Sequence, residues 1–239
     1  MAPSDSKDVK QVATEQSSDA GFYLAAYGGA QFDTSYGDNR QTLSAGGDSV
    51  STNSTIHSGW GAVGGLKAGY NFNSFAVGDC LGLRLQPAVE AEGMYIGLDH
   101  SHANNPFGIP ESTTHFSSNS GDFFLNGILR FKNKSIVTPY IGIGAGLQYL
   151  TTHGQISTPF GVNFTGLNTS DLDFAAQGLA GFDVQITKHL SLFTEYKFID
   201  AIGTDAKSDT TLFGVATTYR LKPSEIQQNL ITAGVKYSF

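Results

Sequence analysis

The sequence has few charged residues, one cysteine and no long apolar run, and each of these features argues against a class of protein. Charged residues make up 15% of the 239 residues, and no apolar stretch approaches the roughly 20 residues that a membrane-spanning helix needs. The lone Cys80 excludes an internal disulfide and a cysteine-rich zinc site. The net charge of −7, without a cluster of Lys and Arg, argues against nucleic acid as a partner.

Glycine and aromatic residues, by contrast, are abundant: the chain has 29 Gly, 17 Phe and 10 Tyr. This composition is typical of a β-rich protein, and the length suits one large barrel or two small domains. Mean hydropathy is slightly negative at −0.13. Mean hydropathy does not detect a transmembrane β-barrel, because its strands alternate lipid-facing with lumen-facing residues.

The last nine residues, ITAGVKYSF at 231–239, alternate strictly between two kinds of side chain. Ile, Ala, Val, Tyr and Phe hold one parity, while Thr, Gly, Lys and Ser hold the other. Strict alternation predicts a β-strand with two unlike faces. Because chain ends are usually polar and frayed, an aromatic end of this kind indicates a strand with one face in lipid.

Seven further segments alternate in the same way, so we expect a barrel over 21–239 after a flexible tail over 1–20. Three short links lie near Asp79, at 133–135 and at 187–189. Four long links, expected to be mobile loops, cover residues 33–58, 99–120, 151–172 and 200–229. Outer-membrane barrels have short periplasmic turns and long extracellular loops. We therefore predict an all-β, eight-stranded antiparallel up-and-down transmembrane barrel, with extracellular loops and both termini periplasmic.

Aromatic residues of the apolar parity collect at both ends of the predicted strands. Toward the short turns they are Phe22, Tyr70, Phe72, Phe131, Phe182, Tyr237 and Phe239. Toward the long loops they are Phe32, Trp60, Tyr95, Phe123, Tyr149, Phe174 and Phe198. Two such girdles are expected at the interfaces of a membrane. The alternative is a soluble lipocalin-like or avidin-like barrel, whose polar parity would carry far more Lys and Glu.

Three stretches resemble the small eight-stranded outer-membrane barrels of the opacity-protein and OmpA-transmembrane-domain type: TPYIGIGAGLQY, GFDVQITKHLSLFTEYKF and ITAGVKYSF. In pattern the resemblance covers about 21–239. It implies a bacterial outer-membrane protein without catalysis or cofactor, in contact with outer-membrane lipid and lipopolysaccharide. It also implies surface loops that engage host or environmental ligands. The terminal motif, with Tyr237 and Phe239, would be recognised by the barrel-assembly machinery.

Charged residues on the polar parity are the first candidate site. The predicted lumen holds Lys67, Arg84, Glu90, Glu92, Arg130, Asp183, Glu195, Lys197 and Lys236. The interior of an eight-stranded barrel is just wide enough for side chains, and unpaired charges there are expensive. We expect a salt-bridged plug that stabilises the barrel. The sharper alternative is a narrow, gated path for ions or small solutes along these charges.

Five histidines map to the long-loop side: His57, His100, His102, His115 and His153. His100 and His102, with His115, have the residue types to hold a zinc ion or haem, but we expect solvated loop histidines and no metal site. A lipid-modifying serine–histidine pair, such as Ser101 with His102, has almost no sequence support. The expected function is a surface protein whose loops mediate adhesion or ligand interaction, and the alternative is a narrow channel.

Two further stretches of the sequence, the glycines of 142–146 and the segment 210–221, need a prediction of their own. Gly142, Gly144 and Gly146 lack the following helix of a phosphate-binding loop, and we expect them to be small lumen-facing residues that make room for neighbours such as Tyr140. The segment 210–221, TTLFGVATTYRL, alternates weakly. It is compatible with a strand extension above the membrane, a lid, or strands of a larger barrel.

Overall fold

The computed structural model describes residues 20–36, 39–54, 57–58, 60–77, 83–104, 113–157, 163–202, 206–212, 215–222 and 225–239. All regular structure in these ranges is β. Within them, no helix is long and apolar enough to cross a membrane. The predicted tail over 1–20 lies outside the described residues, apart from Ala20.

Fourteen strands follow one another along the described chain. They are β1 (Gly21–Tyr36), β2 (Asn39–Ala45), β3 (Asp48–Ser54), β4 (His57–Ser58), β5 (Gly61–Asn71), β6 (Phe75–Ala76), β7 (Arg84–Asn104), β8 (Thr113–Lys132), β9 (Val137–Ser157), β10 (Asn163–Gln185), β11 (Leu190–Ile202), β12 (Ala206–Leu212), β13 (Val215–Lys222) and β14 (Glu225–Ser238). Eight of them pair antiparallel in the order β1–β5–β7–β8–β9–β10–β11–β14, and β14 pairs back with β1. The predicted eight-stranded antiparallel barrel is confirmed.

The two parities of each barrel strand face different surroundings, as the alternation predicts. On β1, Phe22 is 67% exposed and Leu24 is exposed as well, whereas Tyr23, Ala25 and Tyr27 are buried in the lumen. The same reversal of an ordinary globular surface holds around the barrel, where large apolar side chains point outward. An outer surface of apolar and aromatic side chains is typical of a membrane barrel, where it faces lipid.

Hydrogen bonds close the short links at one end of the barrel, which we call the turn end. The backbone N–H of Ser135 donates to Asn133 Oδ1 at 2.7 Å, and the N–H of Leu190 donates to Thr187 Oγ1 at 3.0 Å. Near the first short link, β6 pairs with β7 through Phe75 and Leu85. Side-chain acceptors of this kind fix tight turns.

Strands extend into all four segments predicted as long loops. Strands β7, β8, β9 and β10 run for 20–23 residues. In addition, β2, β3, β12 and β13 form a separate sheet in the order β12–β13–β2–β3, which we call the loop sheet. The segment 210–221 belongs mostly to this sheet, so it does not enlarge the barrel. Strands β2, β3 and β12 are rich in polar residues and lack the aromatic residues that mark the lipid-facing parity of the barrel strands. On β13, by contrast, Val215, Tyr219 and Leu221 share one parity.

The hairpin between β2 and β3 shows why its sequence suits a tight turn. Gly46 and Gly47 connect the strands with φ angles of 60° and 99°. Two-residue hairpin loops favour positive φ at both positions, and glycine adopts it without steric cost.

The charged lumen as candidate functional site

Five charged side chains meet in the middle of the lumen, and we call them the inner cluster. Lys67 Nζ lies 2.8 Å from Glu195 Oε1, 3.2 Å from Glu90 Oε1 and 3.7 Å from Glu92 Oε1. Lys197 Nζ donates to Glu92 and lies 3.3 Å from Glu195 Oε1. All five residues are buried. Burial without pairing would be expensive for each charge, and the mutual contacts offset that cost.

Barrel closure brings these charges together from distant parts of the chain. Lys67 is on β5, Glu90 and Glu92 are on β7, and Glu195 and Lys197 are on β11. The two charged residues on β7 are two positions apart, and so are the two on β11. Both members of each pair therefore face the lumen. Lys67 and Glu195, which are 128 residues apart, meet because the barrel is narrow enough for side chains to cross it.

Neutral polar side chains complete the coordination of the carboxylates. Tyr27 Oη donates to Glu92 Oε1 at 2.5 Å, and Gln177 Nε2 donates to Glu92 Oε2 at 3.0 Å. Asn126 Nδ2 donates to both Glu90 and Glu92 at 3.1 Å. Hydrogen bonds to a charged acceptor are roughly twice as strong as neutral ones. The inner cluster is therefore a bonded plug rather than a row of solvated charges.

The neutral members of this network were not predicted from the sequence. Tyr23 donates to Glu90 at 2.8 Å, and Tyr140 donates to Glu195 at 3.0 Å. The sequence does contain a signal for Tyr23. It has the opposite parity to Phe22, which faces lipid, so its side chain is expected in the lumen. A tyrosine on the lumen parity needs a partner for its hydroxyl group when it is buried.

A second group, the mouth cluster, lies nearer the turn end and consists of Arg130, Asp183 and Lys236. Arg130 Nη1 donates to Asp183 Oδ2 at 2.6 Å, and Lys236 donates to the same oxygen. The Arg130 guanidinium also lies 5.0 Å from the ring centroid of Tyr140 and 5.3 Å from that of Tyr23. Aromatic faces stabilise a cation at such distances.

Arg84 is the one residue of the predicted charge network that the structure places elsewhere. It is half-buried at the first position of β7, and its Nη2 donates to the carbonyl oxygen of Ser74 at 2.9 Å. This position is at the turn end, beyond the level of the inner cluster. Arg84 therefore ties the first short link to the barrel, while the other eight predicted residues form the two clusters.

A layer of buried apolar and polar side chains fills the lumen on the long-loop side of the inner cluster. Ile96 and Ile199 have no exposed surface, and Ile226 is 1% exposed. Ile199 follows Lys197 on β11 by two residues, and Ile96 follows Glu92 on β7 by four. Polar side chains are buried at the same level, since register places Gln228 opposite Ile199 and Ser120 opposite Ile96.

The glycines of β9 lie within the strand and make room for lumen side chains. A Cβ atom on Gly144 would lie 2.0 Å from Asn126 Oδ1, and one on Gly142 would lie 2.8 Å from Ile128 Cδ1. Tyr140 itself relies on another strand, because a Cβ atom on Gly181 would lie 2.8 Å from its ring. Space filling explains these glycines, and they form no phosphate-binding loop.

The terminal aromatic residues lie on the outer surface of the barrel. Phe239 is 69% exposed, and its ring centroid is 5.1 Å from that of Tyr237. Tyr237 also stacks on His189 with centroids 5.8 Å apart. The backbone N–H of Phe239 donates to the carbonyl oxygen of Phe22 at 3.0 Å. Recognition of these rings by the barrel-assembly machinery stays a prediction.

The candidate metal-binding histidines lie on strands whose side chains are outside the described set. Strand register places His57 opposite His102, and His102 opposite His115. The side chain of His100 is outside that set too, whereas His153 is exposed. Among the described side chains, no group of three or more His, Cys, Asp or Glu is arranged to hold a metal ion. Solvated loop histidines stay a prediction, and the serine–histidine pairs stay untested.

Solved structures with a similar fold come from bacterial surface proteins. Neisserial surface protein A is 18% identical with a TM-score of 0.44, covering 92% of this chain and 99% of that chain. The outer membrane protein OprG of Pseudomonas aeruginosa is 14% identical with a TM-score of 0.45, covering 92% and 96%.

Sequence comparison gives the family. Outer membrane protein PagN of Salmonella typhimurium is 29% identical over 118 residues, which cover 49% of this chain and 48% of PagN. The chain thus spans about half the length of this curated relative. The family model for the outer membrane protein beta-barrel domain matches residues 9–239. Since that match covers nearly the whole chain, the protein belongs to the outer membrane protein β-barrel family of the bacterial outer membrane.

Proposed function

We propose that the protein is a non-enzymatic surface protein, whose barrel anchors a ligand-binding structure outside the cell. In this proposal the long-loop end is extracellular and both ends of the chain are periplasmic. One observation carries it: the strands continue far beyond the length that a membrane requires and are accompanied by the loop sheet. The filled lumen supports the same conclusion, because it leaves the outer structure as the accessible functional surface.

Strand length gives the size of that structure. Strands β7 to β10 have 20–23 residues, whereas a tilted strand crosses a bilayer with about 9–11 residues. The excess of about ten residues corresponds to roughly 33 Å of strand. An anchor alone needs no such extension, and protein surfaces that project from a rigid scaffold commonly carry binding function.

The register of the loop sheet assigns four cationic positions and one acidic position, Asp209, to one face, and this excess of cationic positions favours an acidic ligand. Register places Lys207 opposite Arg220, and Lys222 opposite Arg40. Residues directly opposite each other share a face of a sheet, as do residues two apart on one strand. Since Arg220 and Lys222 are two apart on β13, all four cationic positions belong to one face.

Described side chains support the accessibility of that face. Thr42, which is opposite Arg220, has its Oγ1 3.0 Å from Ser51 Oγ. Ser51 and Thr218 belong to the same face and are exposed. A sheet with hydroxyl groups and cations on an exposed face has the chemistry to bind sulfated or phosphorylated polymers.

The test uses intact cells that display the protein, so that only the outer structure meets the ligand. Labelled heparin, a sulfated polyanion, is expected to bind, and neutral dextran is not. In Arg220→Gln with Lys222→Gln, heparin affinity should fall by about two- to fivefold for each charge removed. The matched control, Lys132→Gln with Lys134→Gln, makes the same charge change at the turn end and should leave binding unchanged.

A shortened variant tests the loop sheet as a whole. Ile202 and Glu225 are directly opposite on β11 and β14, so an Asn-Gly turn can replace residues 203–224 and close a regular hairpin. This variant should keep a heat-modifiable gel mobility and lose heparin binding. Displayed, folded protein that binds no heparin above vector cells would overturn the acidic-ligand proposal, as would full binding by the shortened variant.

A narrow channel through the charged lumen is the alternative function. The inner cluster, which bonds across the lumen, gives that alternative no supporting observation. Conductance separates the two functions.

A further inference from the structure

The turn end of the barrel carries a cavity whose charge is opposite to that of the whole chain. The cavity has a volume of about 370 Å³ and opens at the turn-end mouth of the lumen. Its described lining contains four cationic side chains, Arg130, Lys132, Lys188 and Lys236, and one acidic side chain, Asp183. The chain as a whole has a formal charge of −7.

The inner wall of the cavity is the mouth cluster, in which two buried cations share one carboxylate oxygen. Arg130 Nη1 and Lys236 Nζ both donate to Asp183 Oδ2. Arg130 is 4% exposed and Lys236 is 7% exposed. Arg130 also donates through Nε to Asn71 Oδ1 at 3.1 Å, so its position is fixed from two sides.

Charge in the inner and mouth clusters together is balanced but separated along the barrel axis. The inner cluster has three carboxylates and two ammonium groups, whereas the mouth cluster has two cations and one carboxylate. The positive end of this separation faces the cavity, and Lys132 and Lys188 add two further cations at its rim. A concave site lined by one sign of charge concentrates counter-ions of the other sign.

We propose that this cavity binds a phosphate-bearing anion at the turn-end mouth of the barrel. The Arg130 fork and the ammonium groups of Lys132, Lys188 and Lys236 are suited to phosphate oxygens. Ser191 also lines the cavity and offers a hydroxyl donor. The same phosphate chemistry is available from a soluble phosphate or from a lipid headgroup. This site is independent of the loop sheet.

The experiment is calorimetric titration of the full, detergent-refolded chain at low ionic strength. The two probes are inorganic pyrophosphate and short-chain dihexanoyl phosphatidic acid. Binding of either probe supports the proposal. The tighter of the two identifies the source of the phosphate.

Exposed lysines supply matched variants that leave the buried clusters intact. Lys188→Gln should weaken pyrophosphate binding by about two- to fivefold. Lys134→Gln makes the same charge change on a neighbouring turn, but Lys134 does not line the cavity, and binding should be unchanged. The proposal is overturned if neither probe gives a heat of binding, or if Lys134→Gln weakens binding as much as Lys188→Gln does.

Discussion

Glu92 makes the burial of Lys197 possible. The Lys197 side chain has no exposed surface, and its nearest carboxylates are Glu92 and Glu195. Tyr27 and Gln177 hold the Glu92 carboxylate in place by donating to it. A neutral amide at this position would keep much of the shape of the side chain but remove the charge that Lys197 requires.

Glu92→Gln should therefore lower the free energy of unfolding by about 1.5–3 kcal/mol, the usual worth of a hydrogen bond to a charged group, because Lys197 keeps Glu195 at 3.3 Å. The measurement is reversible urea unfolding in lipid vesicles. Trp60, the single tryptophan, is 75% exposed on the outer surface, so its fluorescence reports transfer from lipid to water.

Two variants make this result specific. Asp48→Asn makes the same chemical change on an exposed residue and should alter stability by less than about 0.5 kcal/mol. Adding Lys197→Met to Glu92→Gln should destabilise the barrel further, because Glu90 and Glu195 would then share the single ammonium group of Lys67. If Glu92→Gln is no more destabilising than Asp48→Asn, Glu92 does not hold the inner cluster together.

The sequence identified these charges as lumen residues but not their partners. Alternation assigns Lys67 and Glu195 to the inward parity, since parity is a local property of each strand. Their contact across 128 residues depends on strand tilt and register around the closed barrel. Arg84 shows the same limit, because its parity was known while its level along the axis was not.

At the level of a strand, Gly69 on β5 leaves space for the ring of Tyr23, which extends from the neighbouring strand β1. A Cβ atom on Gly69 would lie 2.3 Å from Tyr23 Cζ. The Tyr23 ring cannot move away freely, because its hydroxyl group donates to Glu90. Arg130 and Lys236 also lie near the face of this ring.

Gly69→Ala should thus destabilise the barrel by about 1–3 kcal/mol, the usual cost of overpacking a filled interior. Denaturation midpoints and heat-shifted gel mobility measure the effect. Gly93→Ala on β7 is the matched control, since no atom lies within 4 Å of its added Cβ. Equal behaviour of the two variants would contradict the space-filling role of Gly69.

Strands in lipid were predictable, and strands outside it were not. Segments such as 61–71 have an apolar parity that lipid demands, so alternation finds them. The strands of the loop sheet have no such demand, and β3 reads DSVSTNS. Side chains of that kind also fill turns, and neighbouring strands decide which structure forms.

For the whole molecule, the filled interior predicts a barrel that does not conduct. Side chains from β5, β7 and β11 bond across the lumen, and the layer that includes Ile96, Ile199 and Ile226 fills it toward the long-loop end. Refolded protein in a planar bilayer should show no discrete openings, while an open porin in the same bilayer does. Only protein with heat-shifted gel mobility should be used. Reproducible openings from folded barrels would contradict the plug and favour the channel alternative.

The pairing of β14 with β1 has a consequence for how the barrel is made. Tyr23 is opposite Ser238, so one seam joins the two most distant strands of the barrel, while its other pairs join neighbours along the chain. Until that seam forms, the growing sheet has two open edges whose backbone groups can pair with any other strand. Long-range closure is also slow. A chain stalled before its final strand would therefore be a template for aggregation, and its safe assembly requires that both edges be shielded until the seam forms.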